Sequence, residues 1–302
     1  MYIYHGGDRV KKLTFVMLII TFILFLGLGT FSNPTVANIV DSEDADRDLF
    51  LNIITTNKME YEMVKALVGD KHNIQYIFTN EEDGERFIIN NNVVNNISNM
   101  DLFLYSGDSL DKWCTELIGK LNKSSVGTID ITRGIRTSNI EVNNETKVNP
   151  YFYTGIDEYK VLLYNVKSAI QDKDPKNRDF YEENYNKITQ NLDKVVSQVK
   201  ENKKDLGEYK FIALDSNLDY FYKSLGISPI KLPKDKSVQQ YVEENKIDVN
   251  KLIILKDVGT PFSEEGYKVV NLEKYNNKVS IEELIENNYK NFYNFIEIKE
   301  NK

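Results

Sequence analysis

The sequence predicts an α/β protein: two α/β lobes joined by one long backbone helix, preceded by an N-terminal transmembrane or signal segment. Three observations carry that expectation. From Leu49 onward, short apolar runs alternate with amphipathic stretches. One uninterrupted helical pattern divides them into two groups, and an uncharged apolar run stands in front of everything.

The N-terminal run is "LTFVMLIITFILFLGLGTF", residues 13–31, behind Arg9, Lys11 and Lys12. At helical rise it spans about 28 Å, the thickness of a bilayer's hydrocarbon core. The basic flank places the N-terminus in the cytoplasm and the remainder outside. A cleaved signal peptide ending at Ala37 is the competing reading, and both make the rest of the chain extracytoplasmic. No cysteine follows the run, so lipidation at a lipobox is not expected. The acidic, polar stretch 38–48 reads as a linker.

Strand candidates in the exported part are residues 49–54, 74–78, 101–105 and 126–131, then 209–214, 251–256 and 267–272. Leu110, Trp113, Cys114, Leu117, Ile118 and Leu121 form one helical stripe, so Cys114 reads as a buried structural thiol. Ser280 and Glu283 open the last helix in a capping-box pattern. In the middle, after "DKDP", Tyr181, Tyr185, Ile188, Leu192, Val195 and Val199 recur at helical spacing. They imply one helix of about 28 residues, roughly 40 Å long. The expected divisions are therefore 1–37 for the anchor or signal and 38–48 for the linker. A lobe at 49–174, the connecting helix at 175–204 and a second lobe at 205–302 complete them.

Composition removes several function classes. A net charge of -8 gives no basic footprint for nucleic acid. One cysteine excludes an internal disulfide and a cysteine-rich zinc site. The only histidines are His5 and His72, the latter in the polar stretch "GDKHNI", so no site can draw three histidines from this chain. No Gly-rich phosphate loop and no Ser–His–Asp set is visible, and an enzyme is not expected.

Longer motifs narrow the field. "ISNMDLFLYSGDSLDKW" (97–113) resembles the pattern L-S-x-A-D-L-F-x-Y-x-G-x-x-L-E-x-W, without gaps. "DPKNRDFYEENYNKITQNLDKV" resembles D-P-x-N-x-x-x-Y-x-x-N at the entry to a backbone helix. "FIALDSNLDYFYKSLGI" (211–227) is similar to a strand followed by H-x-A-F-x-Y-F-x-x-x-Y-G-L, and keeps Tyr220, Phe221, Gly226 and Ile227. In this order the motifs resemble the zinc- and manganese-type solute-binding proteins of ABC importers, over residues from about 50 to 296. The resemblance implies a cleft between two lobes, a divalent cation held there by four protein ligands, and an ABC permease in the membrane as partner. No resident cofactor is implied.

Carried across position by position, the resemblance places the four ligands on Glu85, Tyr151, Asp215 and Glu273. Glu85 follows Asp83 in the first ligand loop. Tyr151 follows Asn149-Pro150 in "KVNPYFYTGIDEY", where the family has histidine. Asp215 begins the stretch after the strand at 211–214, and Glu273 follows "VVNL". Every family histidine is replaced by an oxygen donor. Two readings stay open. In one, the oxygens form a site that favours manganese, iron or calcium over zinc, with a tyrosine ligand suiting a trivalent ion best. Without its cation such a carboxylate set is expected to stay open or take up protons. In the other, the metal site is lost, Tyr151 packs the cleft, and the chain binds another solute or serves as a surface accessory.

Overall fold

The computed structural model describes residues 14–18, 49–79, 84, 87–107, 112–122, 125–142, 145–201, 203–233 and 235–297. Met1–Leu49 is one unit and Phe50–Lys302 another. In the first, residues 14–18 are helical and exposed. Among the described residues no helix is long and apolar enough to cross a membrane. The expected span at 13–31 lies outside them apart from residues 14–18, and so does the linker at 38–48.

The second unit is built from two parallel sheets. The first contains β1 (Asn52–Asn57), β2 (Asn73–Phe78), β3 (Leu102–Tyr105) and β4 (Gly127–Asp130), in the order β2-β1-β3-β4. Helices α1 (Lys58–Val68), α2 (Asn91–Ser98) and α3 (Lys112–Lys120) connect these strands. A hairpin of β5 (Asn139–Val142) and β6 (Glu145–Val148) follows, then a 3-10 turn at Phe152–Thr154 and α4 (Ile156–Lys173). After α5 (Arg178–Glu201) comes the second sheet. It holds β7 (Lys210–Ala213), β8 (Ile230–Lys231), β9 (Leu252–Asp257) and β10 (Lys268–Leu272), in the order β8-β7-β9-β10. Its helices are α6 (Asp219–Leu225), α7 (Val238–Glu244) and α8 (Ile281–Glu297).

Parallel strands must bury both faces, because the crossover helices lie over them. The central strands meet that demand with near-continuous apolar runs. All of β1 except its first residue is buried, and in β9 only Lys256 is partly open. Cys114, Leu117 and Leu121 of the α3 region pack with Phe103 and Ile54 on one face of the first sheet. Cys114 is the buried thiol its stripe predicts. Val238 and Val242 of α7 cover Ile212 and Ile254 of the second sheet. The opposite faces of both sheets share one core, which runs from Leu51 and Ile53 through α4 to Phe211, Leu255 and Phe292.

Every strand expected from sequence is present within a few residues of its predicted bounds. The hairpin β5–β6 and the two-residue β8 were not foreseen. The central helix is a single element of 24 residues, about 36 Å long, entered through a 3-10 turn at Pro175–Asn177. It is shorter than the spacing implies because proline lacks the N–H and the turn tightens the first residues. Tyr181 and Leu192 of its stripe are buried, and Tyr185, Ile188 and Val195 pack against the same core. The helix packs on α1 and α4 of the first half and on α8 of the second, and α1 and α8 also meet.

His72 lies in the polar turn before β2, as the stretch "GDKHNI" implies, yet its side chain is buried between Leu51 and Tyr181 of α5. Of the last helix's capping box, the forward half is present: the Glu283 N–H donates to Ser280 Oγ over 3.2 Å.

Gly155 precedes α4 at a close approach. A Cβ there would meet the Glu158 carboxylate and lie 3.0 Å from both Cβ and the carbonyl oxygen of Tyr220 in α6. Backbone cannot move aside as a flexible side chain can. Gly155→Ala is expected to cost roughly 1–3 kcal/mol, the usual range for overpacking. Urea denaturation followed by circular dichroism measures it, and an unchanged midpoint would show that α4 and α6 can part.

Candidate functional site

In each sheet the two middle strands are the ones from which the chain departs in opposite directions. Such a switch point opens a crevice beyond the strands' carboxyl ends, where α/β proteins place their ligands. In the second sheet this edge carries Asp257, the last residue of β9, and Asp215, just beyond β7.

The two aspartates are linked. Asp215 Oδ2 accepts the Asp257 N–H at 3.0 Å and the Thr260 hydroxyl at 2.8 Å, and its Oδ1 accepts the Asn217 N–H at 3.1 Å. Asp257 Oδ1 accepts the Gly259 N–H at 3.2 Å. Its Oδ2 meets the Lys274 ammonium at 3.0 Å, with only 7% of the Asp257 side chain exposed. Burial works against the charge of Lys274, but the hydrogen bond to Asp257 and the nearby Tyr151 outweigh it, so its pKa rises above the ordinary lysine value. Tyr222, buried beside Asp215, Asp219 and Asp257, has its phenol pushed well above the usual value, by burial first and then by the acids. It stays protonated.

The loop after β6 meets this edge, and Asn149 explains how. It is fully buried, and its Nδ2 donates to the carbonyls of Ser216 at 3.0 Å and Asn217 at 3.3 Å. Its Oδ1 accepts the Tyr151 N–H at 2.9 Å, an Asx turn that fixes the start of the aromatic segment. Pro150 keeps Asn149 out of the helical region. Tyr151 is half-buried, with the Lys274 ammonium 4.6 Å above its ring centroid and 3.4 Å from its Oη. Two residues on, Tyr153 Oη accepts the Tyr275 N–H at 3.2 Å. Residues 149–153 and 274–275 thus grip each other along a seam.

The first sheet's switch point holds a different arrangement. Glu60, in the first turn of α1, is fully buried. Its Oε2 accepts the N–H of Thr56 at 2.8 Å and the Thr56 hydroxyl at 2.6 Å, and its Oε1 accepts the hydroxyl of Ser106, just past β3.

Of the four expected ligands, Glu85 lies outside the described residues, as does Asp83. Tyr151 and Asp215 both stand at the seam, joined through Lys274 and Asp257. Glu273 directs its carboxylate to Asn276 Nδ2 at 2.9 Å, while its N–H and C=O both bind the Asn288 side chain at 2.8 Å. Among the described residues no three His, Cys, Asp or Glu side chains converge as metal donors. The donors present do not fit a divalent cation as they stand: Asp215 already accepts three hydrogen bonds, and Asp257 and Tyr151 face an ammonium.

Sequence reasoning missed Lys274, Asp257 and Asn149. Asp257 had a signal, since it closes an apolar strand run at the edge where ligands sit. Lys274 had none, because a lysine after a strand is ordinarily solvated.

Two parallel sheets of matching order, a long helix packed on both halves and polar loops meeting at a strand-end seam make up the solute-binding protein fold. Residues 53–291 match the model of the ZnuA family, "Zinc-uptake complex component A periplasmic", and the chain belongs to that family. It is 27% identical over 185 residues to the metal ABC transporter substrate-binding lipoprotein FimA of Streptococcus parasanguinis, covering 59% of this chain and 60% of that one. It is 25% identical over 193 residues to the manganese ABC transporter substrate-binding lipoprotein PsaA of Streptococcus anginosus, covering 61% and 62%. The chain thus spans about three-fifths of the length of these curated relatives. Among solved structures it is similar to the metal-dependent lipoprotein YcdH of Bacillus subtilis. The TM-score is 0.64 at 16% identity, over 81% of this chain and 98% of that one. That likeness concerns the fold.

Proposed function

We propose that the chain is the extracytoplasmic substrate-binding component of an ABC importer of the metal-ion type. In this reading it offers the seam to a cation and then docks on a membrane permease, without catalysing a reaction. The observation that supports it is the family match over residues 53–291, combined with Asp215 and Asp257 at the switch point of the second sheet. The segments 49–174 and 205–302 act as two lobes with α5 as the stiff spine between them. The apolar run 13–31 tethers the chain to the membrane, a role the lipid plays in relatives named lipoproteins.

The cation ligands we propose are Glu85, Tyr151, Asp215 and Glu273, an oxygen set suited to manganese, iron or calcium rather than zinc. An entering ion would gather them only by displacing Lys274 and the hydrogen bonds now made by Asp215 and Glu273. One observation favours a second reading. The ammonium of Lys274 already neutralises Asp257 beside Tyr151, as expected of a relative that kept the fold and carries a different solute or an accessory role. Melting of chelator-treated protein with Mn²⁺, Fe³⁺, Ca²⁺ and Zn²⁺ separates the two. A cation at about ten times its Kd stabilises by roughly 1.4 kcal/mol, a rise of about 3–6 °C for a chain of this size. That rise should vanish in Tyr151→Phe/Asp215→Ala. No rise with any ion would sink the cation reading and leave the second.

A further inference from the structure

We propose that Lys274 is a tethered cation, its ammonium standing where a captured ion would bind and latching the seam without one. The place of the ion rests on the reading above; the latch rests on the contacts alone.

Three features carry the inference. The ammonium makes its ion pair with the best-shielded carboxylate of the edge, Asp257, at 3.0 Å. On its other side it faces Tyr151, 4.6 Å from the ring centroid and 3.4 Å from Oη. A single positive group thus contacts an anion of the second sheet and an aromatic ring of the loop after β6, as a bound cation would. The neighbouring Tyr275 N–H bonds Tyr153 Oη, so consecutive residues hold the same loop.

The second lysine of this edge is committed elsewhere. Lys256 Nζ binds the carbonyls of Thr260 at 2.7 Å and Asp257 at 3.2 Å, bracing the turn that presents the carboxylate. The Asp257 side chain also accepts from Asn217 Nδ2 at 3.4 Å, and Asn217 is in the segment held by Asn149. Any cation entering here must break the Lys274–Asp257 pair and lift the ammonium off Tyr151. Lysine is able to leave in this way because its ammonium ends a flexible four-carbon stem. The repulsion expected of neighbouring carboxylates without an ion is relieved from within the chain.

The test uses Lys274→Met, which keeps the stem's length and removes its charge. Amide hydrogen exchange is read on chelator-treated protein, at residues 151–154 and 275. Exchange in both segments is expected to rise about tenfold or more over wild type, with the α1 and β9 amides unchanged. Unchanged exchange at 151–154 and 275 overturns the latch. Titration with Mn²⁺ and Zn²⁺ forms the second arm. Binding about tenfold tighter in Lys274→Met than in wild type supports displacement of the ammonium, and equal affinity in the two proteins overturns it. If neither protein binds either ion while exchange still rises, the latch stands and the metal-cargo reading fails. Should Lys274→Met fail to fold, Lys274→Gln gives the same two readouts, since it too replaces the ammonium with a neutral side chain and leaves Asp257 in place.

Discussion

Glu60→Ala lowers the unfolding free energy by about 3 kcal/mol, from orphaning three buried donors at once. The Thr56 N–H, the Thr56 hydroxyl and the Ser106 hydroxyl all end on this one carboxylate. Thr56 is 1% exposed, Ser106 4% and Glu60 0%, so water cannot replace the lost acceptor. The residue also serves α1. Asn57 caps that helix by accepting the Glu60 N–H at 3.0 Å, and an acid in the first turn favours the positive end of the helix dipole. Thermal melting checks the expectation, since a loss of this size means a drop of roughly 6–12 °C. Glu60→Gln, which keeps shape and one acceptor, should lose about half as much. A drop of under about 3 °C for the alanine variant would show that Thr56 and Ser106 find other acceptors.

The second large effect lies at His72, Tyr181 and Asp174. The Leu51 N–H donates to His72 Nδ1 at 3.3 Å, so the proton of the neutral ring sits on Nε2. From there it is donated to Tyr181 Oη at 2.6 Å, and the Tyr181 hydroxyl passes its own to Asp174 Oδ2 at 2.5 Å. Tyr181→Phe breaks both links in the interior and should cost about 2–3 kcal/mol. Burial depresses the His72 pKa, and the raising influence of Asp174 does not offset it. The unfolded chain therefore takes the proton first. The stability due to this group is complete above the unfolded pKa of about 6.5 and is lost as pH falls through the folded value, by up to about 1.4 kcal/mol per pH unit. His5 is the only other histidine, so wild-type stability should decline as pH falls below about 6.5, and His72→Gln should flatten that slope. Equal slopes in the two proteins would mean that His72 is already charged in the fold.

The strands and the long helix were legible because burial on two faces demands long apolar runs and a helix stripe repeats at fixed spacing. Phe103, Cys114, Tyr181 and Leu255 each carry that signal and each is buried. The hairpin β5–β6 was not read, because its strands are short and largely polar, although "NIEV" and "ETKV" flank Asn143-Asn144, a two-residue turn signal. At the site, the resemblance led to Tyr151 and Asp215 but passed over Lys274. Ligand positions follow from motif order, whereas a charge pairing between Lys274 and Asp257 follows from how two separate loops meet. That is a property of packing and leaves no local pattern.

The core common to the inner faces of both sheets has a dynamic consequence. Leu51, Ile170, Phe221, Leu255 and Phe292 belong to one close-packed body. Swinging one half wide of the other would shear that body along its length, and close-packed interiors resist such deformation. Under the proposed latch, entry to the seam would therefore be governed by small groups at its rim, chiefly the ammonium arm over Tyr151 and the turn at residues 257–260. A partly buried, ion-paired side chain such as Lys274 must first break its pair, yet that is a local event, whereas large domain closures take microseconds to milliseconds. On the latch proposed above, the exchange rate of any cargo would follow how often one charged arm lets go.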